Sequence, residues 1–176
     1  MTRAPFRKFD IRGLHAALDV ERLARGLSWV TLVAEINKPF VGTPSIPISV
    51  GTVRSMLDKR SVTSDVVLQI LRWLRRTPES FLAGSDAAPP LANEILPEPG
   101  PGRILRFDTR AMDAALNAER LSRGMTWKQV AGETPGFTQN MLINLAKGPL
   151  IGFPRVMMIP QWLHRPAASF VRDRGR

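Results

Sequence analysis

Phe9–Glu35 reads FDIRGLHAALDVERLARGLSWVTLVAE, and Phe107–Glu133 reads FDTRAMDAALNAERLSRGMTWKQVAGE. Aligned without gaps, the two stretches are identical at 13 of 27 positions, among them the Phe-Asp start, Ala-Ala-Leu, Glu-Arg-Leu, Arg-Gly and Trp. Agreement at that level within one short chain marks an internal repeat, and a repeat means that one structural plan is used twice.

Working outward, the similarity resumes more faintly after a gap. Trp73 and Phe81 in RWLRRTPESF match Trp162 and Phe170 in QWLHRPAASF, and the first copy holds nine more residues between the matching blocks. Between the copies lies GSDAAPPLANEILPEPGPG, with prolines at 89, 90, 97, 99 and 101, no periodicity and no Lys or Arg. Such a stretch reads as a linker. The expected organisation is a first domain over 1–83, a linker over 84–102 and a second domain over 103–176.

Each copy has the hydrophobic spacing of short helices. Ile11, Leu14 and Leu18 recur with helical period, and Gly26 suits the residue that ends the first helix. Ser28 is placed to cap a second helix through Leu32 and Val33. NKPFVGTPSIP carries three prolines and cannot be regular helix. Ser49 caps a third helix whose inner face is Val53, Met56 and Leu57, and Val67, Ile70, Leu71 and Leu74 define a fourth. The second copy repeats the plan with Gly124, a Thr126 cap, and a Thr138 cap before Leu142 and Leu145. Pro154 suits the start of its fourth helix, and Pro160 should kink or shorten it. No stretch alternates with period two, so the expected class is all-α, four to five short helices per copy.

The chain carries 25 Lys and Arg against 15 Asp and Glu, a net charge of +10. Both copies are basic, with 13 against 7 in the first and 12 against 5 in the second, while the linker is acidic. A surplus of this size favours polyanions. No apolar run reaches the roughly 20 residues of a membrane span. The absence of cysteine excludes disulfides and thiolate metal sites. The two histidines, His15 and His164, lie in different copies, so neither a metal centre nor a cofactor is expected. Without a secretory signal, the expected location is cytoplasmic, at the nucleoid.

Met125–Gly148, MTWKQVAGETPGFTQNMLINLAKG, resembles the helix-turn-helix of the Xre/Cro family, the lambda-repressor-like domains of bacteria and their phages. Ala131 takes the small inner place, Gly136 the turn, Thr138-Gln139-Asn140 the start of the recognition helix, and Leu142 and Leu145 its buried anchors. The resemblance covers both copies, roughly 150 residues. It implies two small lambda-repressor-like helix-turn-helix domains joined by a Pro-rich linker. The function it implies is a double-stranded DNA-binding transcriptional regulator, in the manner of bacterial or phage repressors. Trp29 and Trp127 depart from the pattern, standing where the family usually has Gln at the start of helix two. The Thr134-Pro135-Gly136 turn is one residue longer than the common form. In the first copy the turn swells to Ile36–Ile48, as a brace for the DNA backbone, an extra arm or a plain surface loop.

Under that resemblance the outward positions of the third helices meet base edges in the major groove. The candidates are Thr52, Arg54 and Ser55 in the first copy and Gln139, Asn140 and Asn144 in the second, with the Ile143 side chain against a thymine methyl. Arg54 suits a bidentate guanine contact; Gln and Asn suit adenine. Ser28, Ser49, Lys59, Arg60, Thr126, Lys128, Thr138 and Lys147 are candidates for phosphate contacts, which position without specifying sequence. Arg3, Arg7 and Lys8 are candidates for an N-terminal arm, with a solvated tail as the alternative. Arg22 and Arg120 read as structural ion-pair partners. Because the two third helices differ, the expected DNA site is asymmetric and bipartite, and the flexible linker would let one monomer engage both halves. A homodimer is the alternative assembly. A second reading stays open: a helix-turn-helix interaction module, such as an antitoxin or anti-activator, whose second copy meets protein through Met141 and Ile143. No paired carboxylates, phosphate-cradling Gly loop or clustered His/Asp/Ser set points to an enzyme.

Overall fold

The repeated Phe-Asp pair explains itself in three dimensions. In the computed structural model, which describes residues 6–42, 48–84, 94–147 and 151–175, Phe9 and Phe107 are buried core anchors. The aspartate that follows each is a helix cap: Asp10 accepts from the Gly13 N–H and Asp108 from the Ala111 N–H. The helices so begun are α1 (Ile11–Ala24) and α5 (Thr109–Ser122). Both end at a glycine with positive φ, Gly26 at 67° and Gly124 at 63°, a conformation that disfavours a side chain.

Ser28 caps α2 (Trp29–Asn37) and Thr126 caps α6 (Trp127–Glu133). Ser49 caps α3 (Val50–Ser55) and Thr138 caps α7 (Gln139–Ile143). The fourth helices are α4 (Ser64–Leu74) and α8 (Met158–Leu163). Pro160 lies inside α8, which is six residues long and is entered through a 3-10 turn, Arg155–Met157. The proline sits in the first turn of α8, where a missing N–H breaks no helix bond, and its ring crowds the carbonyl four residues back, in the stretch that is 3-10 rather than α. Each copy closes on a further 3-10 turn, Pro78–Phe81 or Ala167–Phe170.

The fold is thus mainly helical, with one exception that the alternation test misses. Strand β1 (Arg103–Phe107) pairs antiparallel with β2 (Val171–Gly175), Phe107 opposite Val171 and Arg103 opposite Gly175. Ile104 and Leu105 are both buried, so RILRF has no period-two pattern, and its partner VRDRG is mostly polar. In the first copy the same pairing shrinks to an isolated bridge between Phe9 and Leu82.

The residues repeated between the copies also build a repeated clasp. Arg22 Nη1 donates to the Leu27 carbonyl (2.9 Å) and its guanidinium stacks 4.5 Å from the Trp29 ring. Arg120 does the same with Met125 (2.9 Å) and Trp127 (4.9 Å). Arg22 pairs with Asp19 at 2.7 Å, whereas Arg120 has the neutral Asn117 in that place. Arg25 lies 4.3 Å over Trp73, whose Nε1 donates to Glu35 (3.1 Å). Arg123 lies 4.7 Å over Trp162, whose Nε1 donates to Glu133 (2.8 Å). Helices one, two and four of each copy are tied by this Arg-Trp-Glu set.

The copies do not stand apart as modules on a flexible tether. One contiguous core runs through both, with Phe153 packed against Phe9 (ring centroids 4.7 Å) and Phe107 (5.8 Å). Val62 and Phe153 exchange backbone hydrogen bonds of 3.0 and 2.8 Å, and Ser64 Oγ donates to the Ile151 carbonyl. Gln161 binds the Arg7 carbonyl and the Arg7 N–H, each at 2.9 Å. Gln69 Nε2 donates to the Leu105 carbonyl at 3.3 Å. The described end of the linker is fastened as well: Leu96 is buried, Glu98 pairs with Arg72, and the Gly100 N–H donates to Asp173.

Candidate nucleic-acid interface

The turn before α3 is the larger of the two. Its start folds inward: Lys38–Phe40 is a 3-10 turn, Phe40 is fully buried, and the Pro39 carbonyl accepts from Gly102. Asn37 Nδ2 donates to the Ile48 carbonyl at 2.6 Å and so closes the loop on itself. The described part of this turn braces the body of the protein; residues 43–47 lie outside the described residues. Before α7 the turn is short, with Gly136 at φ 88° and Thr134 buried, its hydroxyl donating to the Val130 carbonyl.

Both helices are anchored from beneath. Val53 and Met56 are buried under α3, and Leu142 and Leu145 under α7. Outward, Arg54, Gln139 and Asn140 are exposed, and none of the three side chains hydrogen-bonds or ion-pairs with another described residue. The other base-facing candidates are more committed. Thr52 and Ser49 form a reciprocal capping box with a 2.8 Å contact between hydroxyls, and Ser55 Oγ donates to the Thr52 carbonyl. Asn144 Nδ2 donates to the Asn140 carbonyl, which leaves its Oδ1 as the outward group. Ile143 is 46% exposed, while Met141 is half-buried against the core.

Among the phosphate candidates, Thr126 and Thr138 accept backbone N–H groups with their hydroxyl oxygens, so the hydroxyl hydrogen of each is left to donate outward. Ser28 accepts from Thr31 in the same way but shares its hydroxyl with Thr31 Oγ1 at 2.9 Å. Lys59, Arg60, Lys128 and Lys147 are exposed and form no ion pair with another described residue. Of the candidate arm, two residues are described. Arg7 is held by Gln161 and the Lys8 carbonyl accepts from Ala83, so the backbone from 7 onward belongs to the body; Arg3 lies outside the described residues.

Sequence reasoning missed a basic cleft at the junction of the copies. A groove of about 730 Å³ is lined by Lys8, Arg12, Lys59 and Arg60, with Asp10 and Asp58 as its acids. It runs through Lys8, Arg60 and Pro154 into a second groove of about 490 Å³ that adds Arg155, Gly152 and Gly136. Arg12 had a readable signal in part: it is identical to Arg110 in the repeat, and the fold leaves both exposed, so packing does not account for the identity. Arg155 had none. No described helix is long and apolar enough to cross a membrane. Comparison of the chain with protein-family models, curated proteins and solved structures returned no match.

Proposed function

We propose that this chain is a sequence-specific double-stranded DNA-binding regulator of helix-turn-helix type, acting as a repressor by occupying its site, with α3 and α7 as two unlike reading helices. The observation that carries the reading is the set Arg54, Gln139 and Asn140: exposed side chains with base-reading chemistry, none paired with another described residue, on two capped helices whose opposite faces are buried. A net charge of +10 supports it, since duplex DNA binding rests on neutralised phosphates. Arg54 supplies a bidentate donor pair for guanine, worth about 1–3 kcal/mol of discrimination. Gln139 and Asn140 supply the donor-acceptor pair that adenine requires. Lys59, Arg60, Lys128 and Lys147 hold phosphates.

Selection of bound duplexes from a random pool tests this, repeated with Arg54→Ala and Asn140→Ala. Each substitution is expected to relax the preference at one or two positions and leave the rest intact. Unchanged preferences in both variants would end direct readout by these helices. Exposure of Ile143 favours the second reading, in which α7 docks on a protein; there Ile143→Ser abolishes complex formation and leaves DNA selection unaltered.

A further inference from the structure

A tandem repeat in sequence suggests two modules in the same orientation, yet the contacts between the copies are those of a two-fold axis. In the alignment anchored on Trp73/Trp162 and Phe81/Phe170, Val62 corresponds to Ile151, Thr63 to Gly152 and Ser64 to Phe153. The bridge joins Val62 to Phe153, and its image under exchange of the copies, Ser64 with Ile151, is also in contact. Equivalent segments therefore pair antiparallel about a point between Thr63 and Gly152. The approach there is close: a Cβ on Gly152 would stand 2.7 Å from the Val62 carbonyl oxygen.

Two further contacts join equivalent elements across the same junction, the second through glutamines three positions apart in the alignment. The 3-10 turns Pro78–Phe81 and Ala167–Phe170 are equivalent to one another and meet directly, Glu79 Oε1 accepting from the Ala167 N–H at 2.6 Å. Arg7 and Leu105 occupy equivalent positions before the repeated Phe-Asp. Each carbonyl receives a glutamine amide from the fourth helix of the other copy, Gln161 in one case and Gln69 in the other. Self-complementary contact of this kind is the isologous arrangement of two-fold dimers, here built within one chain.

We infer that the DNA site of this chain consists of two unlike half-sites in inverted orientation at one fixed spacing, with the basic cleft at the pseudo-two-fold axis facing the phosphates between them. The inference rests on the DNA-binding reading above. Half-site orientation and spacing follow protein symmetry when reading helices belong to a rigid body. α3 and α7 belong to equivalent parts of the two copies, and the shared core removes the freedom a tether would give. The cleft follows from charge: five cations, four of them from the first copy, against two acids, in a groove that touches the axis at Gly152 and reaches both the segment after α3 and the turn before α7.

The test uses the full chain and the duplex it selects from a random pool. Enriched sequences are expected to contain two different half-sites, opposed in direction, at a single spacing. Inserting 5 base pairs between them, inserting 10, or reversing one half-site should each weaken binding by about 100-fold, the order of gain from linking two sites. Affinity restored by the 10-base-pair insertion, or enrichment of half-sites in the same direction, overturns the inference while leaving the DNA-binding reading standing. Failure to select any duplex overturns both. The triple variant Lys59→Ala, Arg60→Ala, Arg155→Ala should keep the selected sequence but flatten the logarithmic salt dependence by about 2–3. An unchanged salt slope overturns the placement of the cleft.

Discussion

Glu79 is a carboxylate in an unusual place, 5% exposed between two equivalent 3-10 turns. One oxygen accepts from the Ala167 N–H, and the other is buried with no hydrogen-bond partner among the described residues. Burial pushes its pKa above the ordinary carboxylate value; the Ala167 hydrogen bond opposes that shift, and Glu94 adds to it. A carboxyl whose pKa rises on folding makes the native state bind its proton more tightly than the unfolded chain. Its contribution to stability is therefore complete below the unfolded value and lost as pH rises through the folded one. Glu79→Gln keeps the acceptor for Ala167 and removes the charge. It should raise stability at pH 8 by about 1 kcal/mol, the scale of an unsatisfied buried polar group, and change nothing at pH 4. Urea denaturation at the two pH values decides it, and a variant less stable at pH 8 would contradict the account. The same residue shows a limit of sequence reading. PESF looks like a surface turn, and only its counterpart turn in the other copy makes Glu79 buried.

Among the elements, the capped helices were legible because the determinants are local. Ser28, Ser49, Thr126 and Thr138 cap where their hydroxyls precede apolar spacing, and Gly26 and Gly124 end helices through a conformation other residues resist. The ribbon was not legible, because Ile104 and Leu105 are both buried and erase the alternation. Nor was the inward fold of the larger turn, where Phe40 sits among prolines with no period to reveal it. The candidate readers Arg54, Gln139 and Asn140 could be picked out from their positions opposite the buried anchors; the cleft could not, since Lys8, Lys59 and Arg155 come from distant segments. The clasp lies between these cases: Arg25, Glu35 and Trp73 repeat as Arg123, Glu133 and Trp162, though their contact is visible only in the fold. Glu35→Ala and Glu133→Ala each remove an indole acceptor and a partner of the stacked arginine. Each should cost about 1 kcal/mol in chemical denaturation. Equal effects in the two copies are expected, since the geometry is equal. A loss in one copy with none in the other would show that the clasp holds only one of them.

At the scale of the whole molecule, what binds the copies is a set of positions with no common sequence pattern: a glycine at a close approach, a phenylalanine between two others, glutamines reaching carbonyls across the junction. None of these positions is identical in the two copies, so a repeat alignment does not flag them. Their consequence is cooperativity. Removing the second copy would uncover Phe9 and removing the first would uncover Phe153, and large aromatic side chains dominate core energetics. The chain should therefore unfold in a single transition, with calorimetric and van't Hoff enthalpies equal, as for a two-state unit. Two modules on a tether would instead give two transitions, and that result would remove the shared core as the source of stability. Gly152→Val sharpens the comparison. Its side chain would meet the Val62 carbonyl, a backbone atom that cannot swing aside. Overpacking of that kind costs about 1–3 kcal/mol, and because it acts at the junction alone it should loosen the copies from each other before either melts. Calorimetry of this variant is expected to show a lower and broader transition that departs from two-state behaviour, while Gly132→Ala, in open space on α6, leaves the single transition intact.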